Sequence, residues 1–68
     1  MRAQLESLVK ELVARGVYYE DARKEFERHY IEHALRKADG SISGAATVMG
    51  VHRNTLTRKM AEYGVKNP

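Results

Sequence analysis

Between Ser43 and Tyr63 the chain reads SGAATVMGVHRNTLTRKMAEY, an order of residues that few folds accommodate. Small apolar Ala45 and Ala46 lie one to two turns before Gly50, apolar Val51 follows the glycine, and polar and basic residues then open a second helical stretch. This is the pattern of two short helices joined by a tight turn, a helix-turn-helix. The spacing predicts a first helix over about Gly44 to Met49, a turn at Gly50, Val51 and His52, and a second helix from about Arg53 to Tyr63. The upstream residues are expected to hold this stretch and to pair it with a copy of itself.

Upstream, Leu5, Leu8, Val9 and Leu12 recur at three- and four-residue spacing, with Val13 beside them. The stripe predicts an amphipathic helix from about Ala3 to Arg15, closed by Gly16. Val17, Tyr18 and Tyr19 are expected to pack over its end. A second helix is predicted from Tyr19 or Glu20 to Ala38, with Glu20 and Asp21 at the positive end of its dipole. Phe26, Tyr30, Ala34, Ala38, Ile31 and Leu35 cover roughly 180° of its surface, wider than one neighbour needs. Two partners are therefore expected: the chain's own helix-turn-helix and another chain. Glu27 falls inside that arc. With Arg23 four residues earlier it forms either an exposed pair of little consequence or a hydrogen-bonded charge that fixes register. Asp39-Gly40 breaks the helix, and Ser43 is the expected N-cap of the third helix, with Ile42 packing back from just before it.

Sixty-eight residues make one domain, here divided into 1–40 for dimerisation and 41–68 for the helix-turn-helix unit. A chain this short buries only about 60% of its unfolded surface, and with no cysteine it has no disulfide or cysteine-zinc staple. Oligomerisation is the remaining common route to stability. Charge is distributed unevenly: residues 1–40 hold eight basic and eight acidic residues, whereas Arg53, Arg58, Lys59 and Lys66 face Glu62 alone, so the net charge of +3 lies wholly in the second part. A polyanion suits that asymmetry. The sequence has no apolar run of about 20 residues and no signal-peptide core, so a cytoplasmic, nucleoid location is expected and no membrane partner.

Wheel geometry turns Leu56, Met60 and Tyr63 toward a core and leaves Asn54, Arg58, Ala61 and Glu62 facing away. Arg53 at the helix tip and Arg58 can each pair with a guanine edge, and Asn54 with adenine. Thr55 and Thr57 suit a phosphate or a thymine methyl, Lys59 a phosphate, and Ser41, Ser43 and His52 serve as caps that also reach the backbone of a nucleic acid. The expected dimer interface comprises Leu5, Leu8, Val9, Leu12, Phe26, Tyr30 and Ala34. His29 and His33 stand four apart without a third ligand nearby, so no metal is assigned, and no cofactor or small-molecule ligand is indicated. No nucleophile, base and orienting group cluster, so an enzyme is not expected.

Phe26-Glu27-Arg28-His29-Tyr30-Ile31, Ala34-Leu35, Asp39-Gly40-Ser41, Ala45-Ala46, Met49-Gly50-Val51, Arg53, Thr55-Leu56, Lys59-Met60 and Tyr63-Gly64 together resemble the Fis-type helix-turn-helix, over about Ala22 to Val65. This module forms the factor for inversion stimulation and ends many activators of the NtrC type. The resemblance implies an all-α, four-helix subunit whose two N-terminal helices form an intertwined dimer bundle, with a helix-turn-helix at each end. It implies a homodimer on bent double-stranded DNA, acting as a transcriptional regulator or nucleoid-associated protein. By position, Arg53, Thr55 and Arg58 match DNA-contacting residues of the family, and Ser41 and Ser43 match polar residues that touch the backbone. Ala61 and Glu62 stand where Fis is basic, and no phosphate-binding loop of an ATPase is present. Two alternatives stay open: a dimerisation or adaptor bundle whose motif contacts protein, and an excised C-terminal domain of an NtrC-type activator. Met1 and the full first helix favour a free-standing protein.

Overall fold

The computed structural model describes residues 1–67, which form four α-helices: α1 (Arg2–Ala14), α2 (Tyr19–Lys37), α3 (Ile42–Met49) and α4 (Arg53–Tyr63). All four lie within two residues of the stretches expected from periodicity. Glu20 and Asp21 open α2 and Arg36 and Lys37 close it, each sign at the dipole end that it stabilises.

The start of α3 differs from expectation. Its N-cap is Ser41, whose Oγ accepts from the Gly44 amide at 3.0 Å. Ile42 and Ser43 are the first helical residues, and the Ser43 carbonyl accepts from the Thr47 hydroxyl. Either serine satisfies the sequence preference for a hydroxyl at this place. Chain geometry decides between them, because Gly40 N–H bonds the Leu35 carbonyl and Ser41 N–H the Ala38 carbonyl, closing α2 immediately before Ser41. Gly44 lies close against the end of α2 and the capping serine. A Cβ there would meet Ala38 Cβ at 3.1 Å and Ser41 Oγ at 3.2 Å.

The core is a cluster of Ile31, Ala34 and Leu35 from α2, Ala45 and Ala46 from α3, and Leu56 and Met60 from α4. Ala38, Ile42, Met49, Val51, Tyr63 and Val65 pack around it. Two alanines on α3 let its axis approach both neighbours, and the three larger side chains Ile31, Leu35 and Leu56 fill the space between. This three-helix unit is self-contained, and α1 contributes no buried residue to it.

The wide apolar arc of α2 is thus divided. Ile31 and Leu35 are fully buried inward, while Phe26 and Tyr30 remain about half exposed, their rings 5.8 Å apart. Ala34, expected at a dimer interface, is buried in the core of the subunit because α3 packs on it. Tyr18 and Tyr19 do not pack over α1: both are nearly four-fifths exposed. Tyr18 is the N-cap of α2 and Tyr19 its first residue, so helix geometry turns the rings outward. Between α1 and α2 runs an open groove of about 1180 Å³. Leu5, Leu8, Val9 and Leu12 form one wall and Phe26 and Tyr30 the other.

Candidate nucleic-acid interface

Helix α4 is built to present one edge. Leu56 and Met60 anchor it in the core, with Tyr63 half-buried beside them, and the 3.6-residue period turns Arg53, Asn54, Thr57 and Arg58 outward. All four are exposed, and Thr55 is half-buried at the flank. Among the described residues, no ion pair engages Arg53 or Arg58, so both guanidiniums keep their forked donors for a partner.

The turn that aims this edge depends on two local devices. Gly50 ends α3 with φ +70°, and its amide bonds the Ala46 and Thr47 carbonyls. Only glycine adopts that left-handed conformation without cost. His52 then caps α4, its Nδ1 accepting from the Asn54 amide at 3.0 Å. Nδ1 therefore carries no hydrogen in this arrangement and Nε2 is the donor nitrogen of the neutral ring. The Arg53 and Thr55 amides at the helix start have no intrahelical acceptor, so together with the dipole they favour an anion there.

Hydroxyl chemistry separates the remaining residues. Ser41 accepts from Gly44 N–H through its Oγ, which leaves its own hydrogen to donate. Ser43 is exposed in the first turn of α3. Thr57 already donates to the Arg53 carbonyl at 3.1 Å, so in this rotamer it offers a methyl and an acceptor rather than a donor.

Lys59 is placed differently from the other basic residues of α4. Its ammonium lies 3.2 Å from Glu27 Oε2, and its side chain is 27% exposed, so it points at α2 and not along the outward edge. Glu27 also accepts from the Tyr63 hydroxyl, and its Oε1 accepts from Arg23 at 3.2 Å. The Tyr63 hydrogen bond, then Lys59 and Arg23, hold the Glu27 carboxyl below its ordinary range despite the opposing effect of partial burial. The same bond, with burial, raises the Tyr63 phenol. Arg23 is fixed in turn by two bonds to Glu20, at 2.9 and 3.1 Å, which lower the Glu20 carboxyl. Of this group, the pairing of Arg23 with Glu27 is anticipated from their spacing. The reach of Lys59 and Tyr63 across to α2 is not, although the wheel places both on the core side.

Two sequence features lie apart from this edge. His29 and His33 are on α2, where His29 Nδ1 stands 3.5 Å from Glu32 and His33 Nε2 stands 3.5 Å from Arg36. Among the described residues no group of three or more side chains could hold a metal, and no helix is long and apolar enough to cross a membrane.

The stretch that builds this edge lies within a sequence match to a known family. Residues 22–63 match the family model described as "Bacterial regulatory protein, Fis family". The chain belongs to the Fis family. Its helix-turn-helix is accordingly of the type that this family of bacterial regulatory proteins carries. Among relatives, it is 44% identical over 46 residues to the DNA-binding transcriptional regulator NtrC of Klebsiella pneumoniae, covering 68% of this chain and 10% of that protein. It is 36% identical over 50 residues to the nitrogen assimilation regulatory protein NtrX of Azorhizobium caulinodans, covering 74% of this chain and 11% of the relative. A putative Fis-like DNA-binding protein of Xylella fastidiosa is 36% identical over 47 residues, covering 69% of this chain and 52% of the relative. The chain thus spans about a tenth of the NtrC and NtrX proteins and about half of the Fis-like one. No solved structure matches it significantly.

Proposed function

We propose that the chain binds double-stranded DNA with sequence preference, as a homodimer, and acts as a transcriptional regulator or nucleoid-associated DNA-bending protein. The observation that supports this most directly is the outward edge of α4, where Arg53, Asn54 and Arg58 stand together, exposed, with no ion pair among the described residues. Arginine donates in pairs to guanine and asparagine pairs with adenine, so these are side chains suited to reading base edges in a major groove. In this reading Ser41, Ser43, His52 and Thr55 would supply contacts to the DNA backbone, and Thr57 a methyl for thymine. Lys59 acts within the protein.

The apolar groove supports the homodimer part of this reading. Leu5, Leu8 and Val9 are each nearly half exposed, facing Phe26 and Tyr30 in the same condition. A contiguous apolar surface of this kind suits a protein partner. Residues 1–40 carry no net charge, so two copies meet there without repulsion. A second copy seated on Leu5, Leu8, Val9, Leu12, Phe26 and Tyr30 would present two reading helices from one particle. If those helices stand closer than one turn of DNA, the duplex must bend to meet both.

Selection of bound sequences from a random duplex library, followed by a salt titration of the selected site, tests the reading. Enrichment of a two-fold-related sequence, with affinity falling steeply as salt rises, is expected. No gel shift of any duplex at micromolar protein in low salt would overturn it in favour of a protein-binding adaptor.

A further inference from the structure

Apart from the polar cluster between α2 and α4, no cluster of side-chain hydrogen bonds joins two helices among the described residues. The Leu56 and Met60 contact with α2 is apolar, and apolar contacts are non-directional: they choose which face of α4 meets the core but leave its fine roll about its own axis loosely defined. Glu27 supplies direction. Its two oxygens accept from Arg23 on its own helix and from Lys59 and Tyr63 on α4. Arg23 also reaches the Tyr63 oxygen at 3.4 Å, while Glu20 holds the other edge of its guanidinium. Arg23 and Glu27 lie one turn apart on α2, and Lys59 and Tyr63 one turn apart on α4. Two points on each helix define both a crossing angle and a roll. A roll of about 20° carries a group at the rim of a helix, about 6 Å from its axis, through roughly 2 Å. That is enough to break a two-hydrogen-bond contact to a base.

We propose that Arg23, Glu27, Lys59 and Tyr63 form a positioning joint that sets the roll of the reading helix, and that Lys59 contributes to base discrimination through Glu27 and not by contacting a phosphate. The inference rests on the reading that α4 enters DNA, but the joint itself is a property of the free protein. A phosphate-binding lysine adds counterion release, so its loss lowers the salt slope of binding by about one for every sequence alike. A positioning lysine instead alters the ratio of specific to non-specific binding and leaves the slope in place.

Lys59→Gln and Lys59→Arg are to be compared with the parent on the selected duplex and on a scrambled one, at a temperature where circular dichroism shows each chain folded. Lys59→Gln is expected to lower the specific-to-non-specific ratio about tenfold, the scale of one lost paired base contact, with the salt slope unchanged. Lys59→Arg, which still donates to Glu27, is expected to restore the ratio. A slope lowered by about one with the ratio intact would show a phosphate contact and overturn the proposal. Independently of DNA, backbone residual dipolar couplings of Glu27→Gln and Tyr63→Phe are expected to show α4 reoriented against an unchanged α2–α3 pair. Unchanged couplings in α4 would overturn the joint while leaving DNA binding standing. Failure of the parent to bind any duplex would overturn the DNA reading, and the positioning role with it, even where the couplings show the joint.

Discussion

Gly50 and Gly44 show how two glycines, six residues apart, are required for different reasons. Gly50 has φ +70° and open space for 4 Å around the place a Cβ would take, so only its backbone conformation excludes other residues. Gly44 has no such φ, but Ala38 and the capping Ser41 crowd the place where a Cβ would stand. Gly50→Ala is therefore expected to cost about 1 kcal/mol, the strain of a left-handed alanine. Gly44→Ala is expected to lose the Ser41 cap as well, and Ser41→Ala made in that background should then cost far less than the ~1 kcal/mol it costs alone. Urea unfolding of the two singles and the double measures this coupling. On the reading edge, Arg53→Ala is expected to weaken binding to the selected duplex by about 1–3 kcal/mol and to relax base preference, read by fluorescence anisotropy across single-base variants. Equal binding of parent and variant to every duplex would remove Arg53 from the readers.

At the scale of the helix, α2 serves two neighbours with two chemistries. Its Ile31 and Leu35 face the core, and its Arg23 and Glu27 hold α4 by charge and hydrogen bonds. The second contact is sensitive to pH at both ends of the range. Glu27 has a lowered folded pKa, so its contribution is present above the ordinary glutamate value and is lost as pH falls through the lowered one. Tyr63 has a raised folded pKa, so its contribution is full below the ordinary tyrosine value and is lost as pH rises through the raised one. Thermal melts across pH are expected to show Tm falling on the acid side in the parent and a flatter acid limb in Glu27→Gln. On the alkaline side Tyr63→Phe should flatten the decline. An acid limb of the same slope in Glu27→Gln would assign that limb to other carboxylates.

For the molecule as a whole, α1 is the element whose place is unexplained by one copy of the chain. None of its residues is fully buried in the subunit, yet it carries a regular apolar stripe against Phe26 and Tyr30 across an open groove. Phe26→Glu puts a charge on that surface without touching the α2–α3–α4 core. It is expected to convert a dimer to a monomer in sedimentation velocity at micromolar concentration, and to reduce duplex affinity by uncoupling the two reading helices. A parent that sediments as a monomer would remove the homodimer. Leu56→Ala, by contrast, opens a cavity in the core and is expected to cost about 2–5 kcal/mol whatever the oligomeric state.

Periodicity alone was enough to place four helices, their glycine stops and the outward edge of α4, because each depends on residues within one or two turns of one another. The spacing of Leu56, Met60 and Tyr63 fixes which way Asn54 and Arg58 point, and no distant residue is needed to say so. Tertiary structure decided what local pattern left open. Ser41 rather than Ser43 caps α3 because α2 closes where it does. Ala34 is taken into the core because α3 lies on it, while Phe26 and Tyr30 on the same arc are left outside. Lys59, one of four basic residues in a stretch of net positive charge, is drawn inward by a carboxylate 32 residues away. A helical wheel shows which residues share a face, but only the packing of one helix on another shows which partner that face meets.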